Sequence, residues 1–385
     1  MYGMFKSIQV EREGDTNGNG MIITFTSSDA TNIHAMAIPQ DWPSPTGPTW
    51  VYLFENESLT LIDTGAKNSL SYLRDAMNSI GFHLRDIERV VITHGHSDHD
   101  GSLKELMATI DAMLLAHDLY AQPLQYDPWK INPCTLSTIH TIMGNVIAEY
   151  DSANSGDGTP SISTLTKKFN EYLRYRNSLR IDHCLQDGVS DGAATVYHTP
   201  GHTPEEICVL LNDVMFTGDH ILPEITPHPT TKATFPQSLR ESSPVNHYSE
   251  KNLYGLRPYL NSLMKTRDSC DKNVAMLPAH RLYNKGKLNI QSVSTRSEEI
   301  AKHHISRLND IIQNIQRQSN TLEKITNQMF SRRKLKGINY YMALSEAVSH
   351  IELLEEYDDI TIDSNNTIRW NGSKNYRQLI NELGI

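Results

Sequence analysis

Short apolar runs separated by turn residues dominate the start of the chain, and helical spacing takes over towards its end. Met21 to Phe25, Trp50 to Phe54 and Leu59 to Ile62 have the length and composition of strands, and a proline-rich turn from Pro39 to Pro48 divides the first from the second. This pattern suits antiparallel strands at the edge of a sheet. Leu70, Leu73, Met77 and Ile80 recur at a helical period, which predicts an amphipathic helix over Ser69 to Ile80. Arg89 to Ile92, Ala194 to Tyr197, the stretch Val209 to Phe216 and Ala275 to Leu277 are again strand-like. Strands mixed with helices in this way indicate a layered α/β fold.

The polar residues that follow these strands carry the chemistry. THGHSDHDG, from Thr93 to Gly101, begins where Arg89 to Ile92 ends and leads into a helix at about Ser102. His94, His96, Asp98 and His99 place three imidazoles and a carboxylate within six positions. A turn leaving a strand aims alternate side chains at two neighbouring points, so His94 and His96 suit one metal while Asp98 and His99 suit a second. Imidazole with carboxylate fits Zn²⁺, with Fe or Mn also compatible. A solvated histidine-rich loop is the competing reading. Against it stand His202 in HTPGHTPEE, Asp219 in TGDH and His280 after Pro278, because each again follows a strand-like segment.

Over roughly residues 20 to 300 the chain resembles the metallo-β-lactamase superfamily, in its glyoxalase II-like and lactamase-like branch. LTLIDTG, from Leu59 to Gly65, is similar to the strand and turn before the first helix of that family. The resemblance implies an αββα sandwich as a catalytic domain over residues 1–300. It also implies that His94, His96 and His202 hold one metal, that Asp98, His99 and His280 hold a second, and that Asp219 bridges the two. Asp63 supports the site from behind. Two departures stand out: Glu205-Glu206 where relatives often have Gly-Ser, and Ala279 and Arg281 around His280 where they often have glycines. Glu205 and Arg281 are either substrate contacts or a mutual charge pair, and the pair is the expectation.

The chemistry implied is a dinuclear Zn²⁺ hydrolase, in which a bridging hydroxide attacks the carbonyl of a small thioester, ester or lactone. Coordination lowers the pKa of water to about 7, so no serine or cysteine nucleophile is required. Asp98 is expected to combine ligation with orienting the nucleophile and shuttling its proton. A phosphodiesterase or endoribonuclease is one alternative, since two metals also suit in-line displacement. An iron-dependent thiol or persulfide dioxygenase using His94, His202 and Asp219 is another, and a binding protein without catalysis is the least favoured.

Three further regions matter to selectivity. The insert at about 117–187 is expected to lie over the site, its aromatics Tyr120, Tyr126, Trp129, Tyr150, Phe169, Tyr172 and Tyr175 lining substrate or packing the insert itself. The proline-rich loop from His220 to Pro236 is a shaped loop in which His220 and His228 face substrate or serve structure. Residues 301–385 form a second, winged-helix-like domain: Ile300 to Ile315 at helical spacing, a cap at Thr321, a helix from Ala343 to Glu356, and a hairpin of Ile360 to Ile362 with Thr367 to Trp370. His303 and His304 have no assigned role.

Charge then narrows the partners. The 385 residues carry a net charge of −10, and residues 343–363 contain seven acidic residues and no Lys or Arg. A helix entering a phosphate-lined groove should be basic, so nucleic acid is disfavoured, SRRKLKG from Ser331 to Gly337 being the one basic cluster. The tail is expected to pack or to mediate a homodimer. Cys134, Cys184, Cys208 and Cys270 form no CxxC pair, and no apolar stretch reaches membrane-spanning length. The expectation is a cytoplasmic enzyme with no membrane partner.

Overall fold

The computed structural model describes residues 4–40, 44–121, 137–154, 161–176, 178–235, 248–330 and 335–385. Eight strands form the first sheet in chain order: β1 (Ser7–Arg12), β2 (Ile22–Thr26), β3 (Asn32–Ile38), β4 (Thr49–Asn56), β5 (Ser58–Ile62), β6 (Arg89–Val91), β7 (Met113–His117) and β8 (His183–Leu185). Pairing is antiparallel from β1 to β5 and parallel from β5 to β8. A second sheet has the order β13 (Ala275–Pro278), β12 (Val214–Gly218), β11 (Ile207–Leu211), β10 (Ala194–His198), β9 (Ser190–Asp191).

Alternation of side chains explains why the two sheets stack. Ile33, Ala35 and Ala37 of β3, Trp50, Tyr52 and Phe54 of β4, and Val209, Leu211, Val214 and Phe216 of β11 and β12 share one core between the sheets. The intervening residues Met36, Val51, Leu53 and Leu61 turn outward onto helices α1 (Leu70–Ser79) and α2 (Leu103–Met107). On the far side Cys208, Met215 and Met276 meet α5 (Leu256–Ser269) and α6 (Val293–Gln316). Period-two burial on both faces produces the expected αββα layering.

Two strand expectations need correction. Val209 to Phe216 is not one strand: Asn212, at φ 55°, and Asp213 turn the chain between β11 and β12. The early runs β2, β4 and β5 lie inside the sheet, because β1 takes the edge and β3 pairs between β2 and β4.

The insert contributes α3 (Thr138–Ala153) and α4 (Ile162–Arg176) before α5 and α6, and the tail adds α7 (Leu322–Met329), α8 (Ile338–Glu356), the hairpin Ile360–Ile362 with Ile368–Trp370, and α9 (Arg377–Leu383). Thr321 caps α7, its side chain accepting from Lys324 N–H. α6 runs unbroken through residues 300 and 301. Ile139, Ile142, Met143 and Ile147 of α3 join Leu344, Val348 and Ile351 of α8 in one core, and Tyr150 stacks on Tyr340 at 4.3 Å. Part of the insert therefore rests on the tail. Tyr126, Trp129 and Cys134, and the side chains of Phe169 and Tyr175, fall outside the described residues. No helix among the described residues is long and apolar enough to cross a membrane.

Candidate metal centre

All seven candidate ligands follow carboxyl ends of strands. β6 delivers His94, His96, Asp98 and His99, β10 delivers His202, β12 delivers Asp219 and β13 delivers His280. Donor atoms of His94, His96, His202 and Asp219 lie within 4.8 Å of one another, as do those of Asp98, His99 and His280. Asp219 faces both groups: Oδ2 is 3.7 Å from His202 Nε2, and Oδ1 is 3.5 Å from both His99 Nε2 and His280 Nε2.

Partners behind the rings decide which nitrogens point inward. His99 Nδ1–H donates to Asp63 Oδ2 at 2.8 Å, His280 Nδ1–H to Pro48 O at 3.0 Å and His202 Nδ1–H to His228 O at 2.8 Å. Thr93 spends its hydroxyl proton on Asp63, so its oxygen accepts from His94 Nδ1–H at 3.2 Å. Each of these rings is thereby fixed with a bare Nε2 towards the centre. His94 Nε2 and His202 Nε2 approach His96 Nδ1 at 3.0 and 3.2 Å. One proton on His96 serves one of those contacts; a cation serves all three atoms. His99 Nε2 and Asp219 Oδ1 are buried without any hydrogen-bond partner. This donor set fits a pair of divalent ions.

The electrostatics agree. Burial pushes His94 well below the ordinary imidazole range and His96 down to about 3. Burial alone would raise Asp98 and Asp219, yet neighbouring imidazoles, His99 foremost for Asp98 and His280 for Asp219, hold both carboxyls far below the usual carboxylate range. Burial lowers His202 as well, but His99 and His280, although buried, are raised by the carboxylates of Asp219 and Asp98, so the second group draws positive charge that a metal ion would supply in place of protons.

Several supports had no signal in the motif. Glu206 is buried and accepts Asp219 N–H at 2.9 Å, fixing the residue between the two groups. Gln40 Nε2 reaches Asp98 Oδ2 at 3.3 Å. The expected pair of Glu205 with Arg281 does not form. Arg281 donates to Pro45 O, whereas Glu205 meets Arg176 at the end of α4, Nη1 to Oε1 3.4 Å. The same Arg176 nitrogen donates to Gly95 O at 3.2 Å, and Glu205 accepts Gly95 N–H at 3.1 Å. A Cβ on Gly95 would lie 1.8 Å from that nitrogen, so only glycine permits the clamp. Arg176 also covers the Tyr120 ring at 5.1 Å, and Tyr120 donates to Asp100 at 2.6 Å. His228 serves the site through its carbonyl, and His220 packs edge-on against Tyr259 at 5.5 Å.

Residues 44–254 match the profile of the metallo-beta-lactamase superfamily. The chain is 23% identical over 343 residues to the probable metallo-hydrolase YqjP of Bacillus subtilis, covering 86% of this chain and 95% of that protein. Its fold is similar to the metallo-beta-lactamase family protein TTHA1429 from Thermus thermophilus, with a TM-score of 0.59 and 18% identity over 88% of this chain and 98% of that one. A beta-lactamase domain protein from Burkholderia ambifaria gives a TM-score of 0.56 at 20% identity, over 88% and 90% of the two chains.

Proposed function

The chain belongs to the metallo-β-lactamase superfamily of metal-dependent hydrolases, and on that premise we propose that it cleaves a small acyl substrate, a thioester, ester or lactone, at a centre of two metal ions. The observation that carries the reading is the double-facing Asp219, whose two oxygens address two separate groups of donors. Two ions held there, with Zn²⁺ the best match to the donors, supply a hydroxide nucleophile at neutral pH and a Lewis acid for the carbonyl oxygen.

The side chains divide the remaining work. His94, His99, His202 and His280 are held by their rear hydrogen bonds as ligands, and His96 presents Nδ1 to the same point as His94 and His202. Asp98 differs. Its carboxylate is the partly exposed member, Oδ2 lying 3.1 Å from His280 Nε2, and it takes the role of orienting the nucleophile and moving its proton.

Beyond the metal ions themselves, a nucleic-acid chain needs basic side chains for its flanking phosphates, which a small neutral acyl substrate does not. Among the described residues, Arg176 and Arg281 flank the ligand turns, and both are committed to protein acceptors. With the net charge of −10 this favours the acyl substrate over the nuclease alternative. The test is a screen of thioesters, lactones and a generic phosphodiester on the metal-loaded protein. Turnover confined to the phosphodiester, or a single bound iron with oxygen consumption in the presence of a thiol, overturns the reading.

A further inference from the structure

A second cluster of donors lies outside the catalytic centre, in the helical layer behind it. Glu346 and His350 are one helical turn apart on α8, and His304 faces them from α6, with donor atoms of all three within 4.8 Å of one another. His304 and His350 are fully buried, and Glu346 nearly so. Around them lie the Arg307 guanidinium on Glu346, the Ser349 hydroxyl beside His350 and the rings of Tyr259 and His303 against His304. Burying three ionisable groups is costly unless something compensates them.

The local geometry repeats that of the catalytic ligands. His350 Nδ1–H donates to Glu346 O at 2.7 Å, which leaves a bare Nε2 facing His304 Nδ1 at 3.0 Å. That spacing suits two imidazoles on one ion, Zn–N being about 2.0–2.1 Å. Arg307 holds the Glu346 carboxylate, the kind of rear contact that orients a ligating carboxylate. Glu at i and His at i+4 on one helix face, completed by a His from the facing helix, give the two-imidazole, one-carboxylate set that zinc accepts. Arg307 also borders a surface cleft of about 340 Å³ with His303, Asp310 and Gln313.

We propose that His304, Glu346 and His350 bind a divalent transition-metal ion, with zinc as its natural class, at a structural site that pins α6 to α8. The site touches the catalytic layer through Tyr259, whose ring meets His304 and His220 edge-on at 5.5 Å each. Its loss therefore loosens the tail without removing a catalytic ligand.

The experiment uses the full chain, stripped by a chelator and titrated with Zn²⁺ alone while bound metal is counted. Expected results are that His350→Ala binds one equivalent fewer than the unaltered protein and keeps its turnover on the best acyl substrate. A His94→Ala/His99→Ala/Asp219→Ala triple variant, which breaks both donor groups of the catalytic centre, should still take one equivalent and gain thermal stability from it. If the triple variant binds no zinc, or if His350→Ala binds as many equivalents as the parent, the site does not exist and the three residues are an ion-free hydrogen-bonded network. Neither result bears on the catalytic centre, whose occupancy is read separately in the parent.

Discussion

Asp63 grips His99 from behind, Oδ2 to Nδ1 at 2.8 Å, while its other oxygen accepts the backbone N–H of Thr93 at 2.9 Å. One carboxylate at the end of β5 thus sets both the ring of a ligand and the start of the turn that carries four of them. Asp63 sits at φ 59°, a conformation that Asn also adopts readily. Asp63→Asn should therefore keep the backbone and lose the charge behind His99. The expected result is a fall of roughly 10- to 100-fold in metal affinity at the His99 group, measured by chelator competition. Unchanged affinity would show that the contact is incidental.

Arg176 joins the insert to the ligand turn. Arg176 and Glu205 are 5% and 4% exposed, so Arg176→Ala strands a buried carboxylate beside Gly95. Removing one partner of a buried pair costs about 3–5 kcal/mol. Denaturant unfolding should show a loss of this order, together with weaker metal retention at His94 and His96. Arg176→Lys keeps the charge but not the guanidinium that meets both Gly95 O and Glu205, so it should fall between the two. A surface-like effect below about 0.5 kcal/mol would contradict the clamp.

Asp98→Asn should damage turnover more than metal content, whereas His96→Ala should lose both. The amide keeps part of the coordination but cannot take a proton. His96 has no second role. Comparing kcat with bound metal for the two variants separates ligation from proton handling. Full turnover by Asp98→Asn at full occupancy would leave Asp98 a ligand only.

Stability should also fall on acidification through a pair of histidines away from the metals. His198 stacks on His117 at 3.9 Å, and burial lowers His198 to about 4 and His117 further below its ordinary value. Both are neutral in the fold and charge more readily in the unfolded chain, which therefore binds more protons below about pH 6.5. Stability is full above that value and declines as pH drops towards 4, by on the order of 1–2 kcal/mol at pH 5 for His198 alone. Denaturation midpoints at pH 7 and 5 should converge partly in His198→Asn. An equal slope in that variant would place the pH dependence elsewhere.

The seven candidate ligands, which the fold brings together in two groups, are legible in the sequence because each is tied to a local event, a strand ending in a short polar turn, and because residue type reports metal chemistry directly. The layering is legible for the same local reason, period-two burial in strands such as β4. What the sequence hides is what acts at a distance or through the backbone. Glu205 finds Arg176, 29 residues upstream in the insert, and not Arg281. His280 and His202 are oriented by the carbonyls of Pro48 and His228, acceptors that every residue type offers. β3 carries a weak signal although it pairs on both sides, because Asn32–Ile38 mixes His and Ala into its apolar pattern. Asn212 and Asp213 conceal a hairpin inside what reads as one continuous strand.

The proposed function depends on Asp219 lying between two ions. Anomalous diffraction at the metal absorption edge, from crystals of protein purified without chelators, tests this most directly. One peak is predicted among His94, His96 and His202 and a second among Asp98, His99 and His280, both adjacent to Asp219. A single peak confined to the first group, with Asp98, His99 and His280 bonded only to one another, would contradict it.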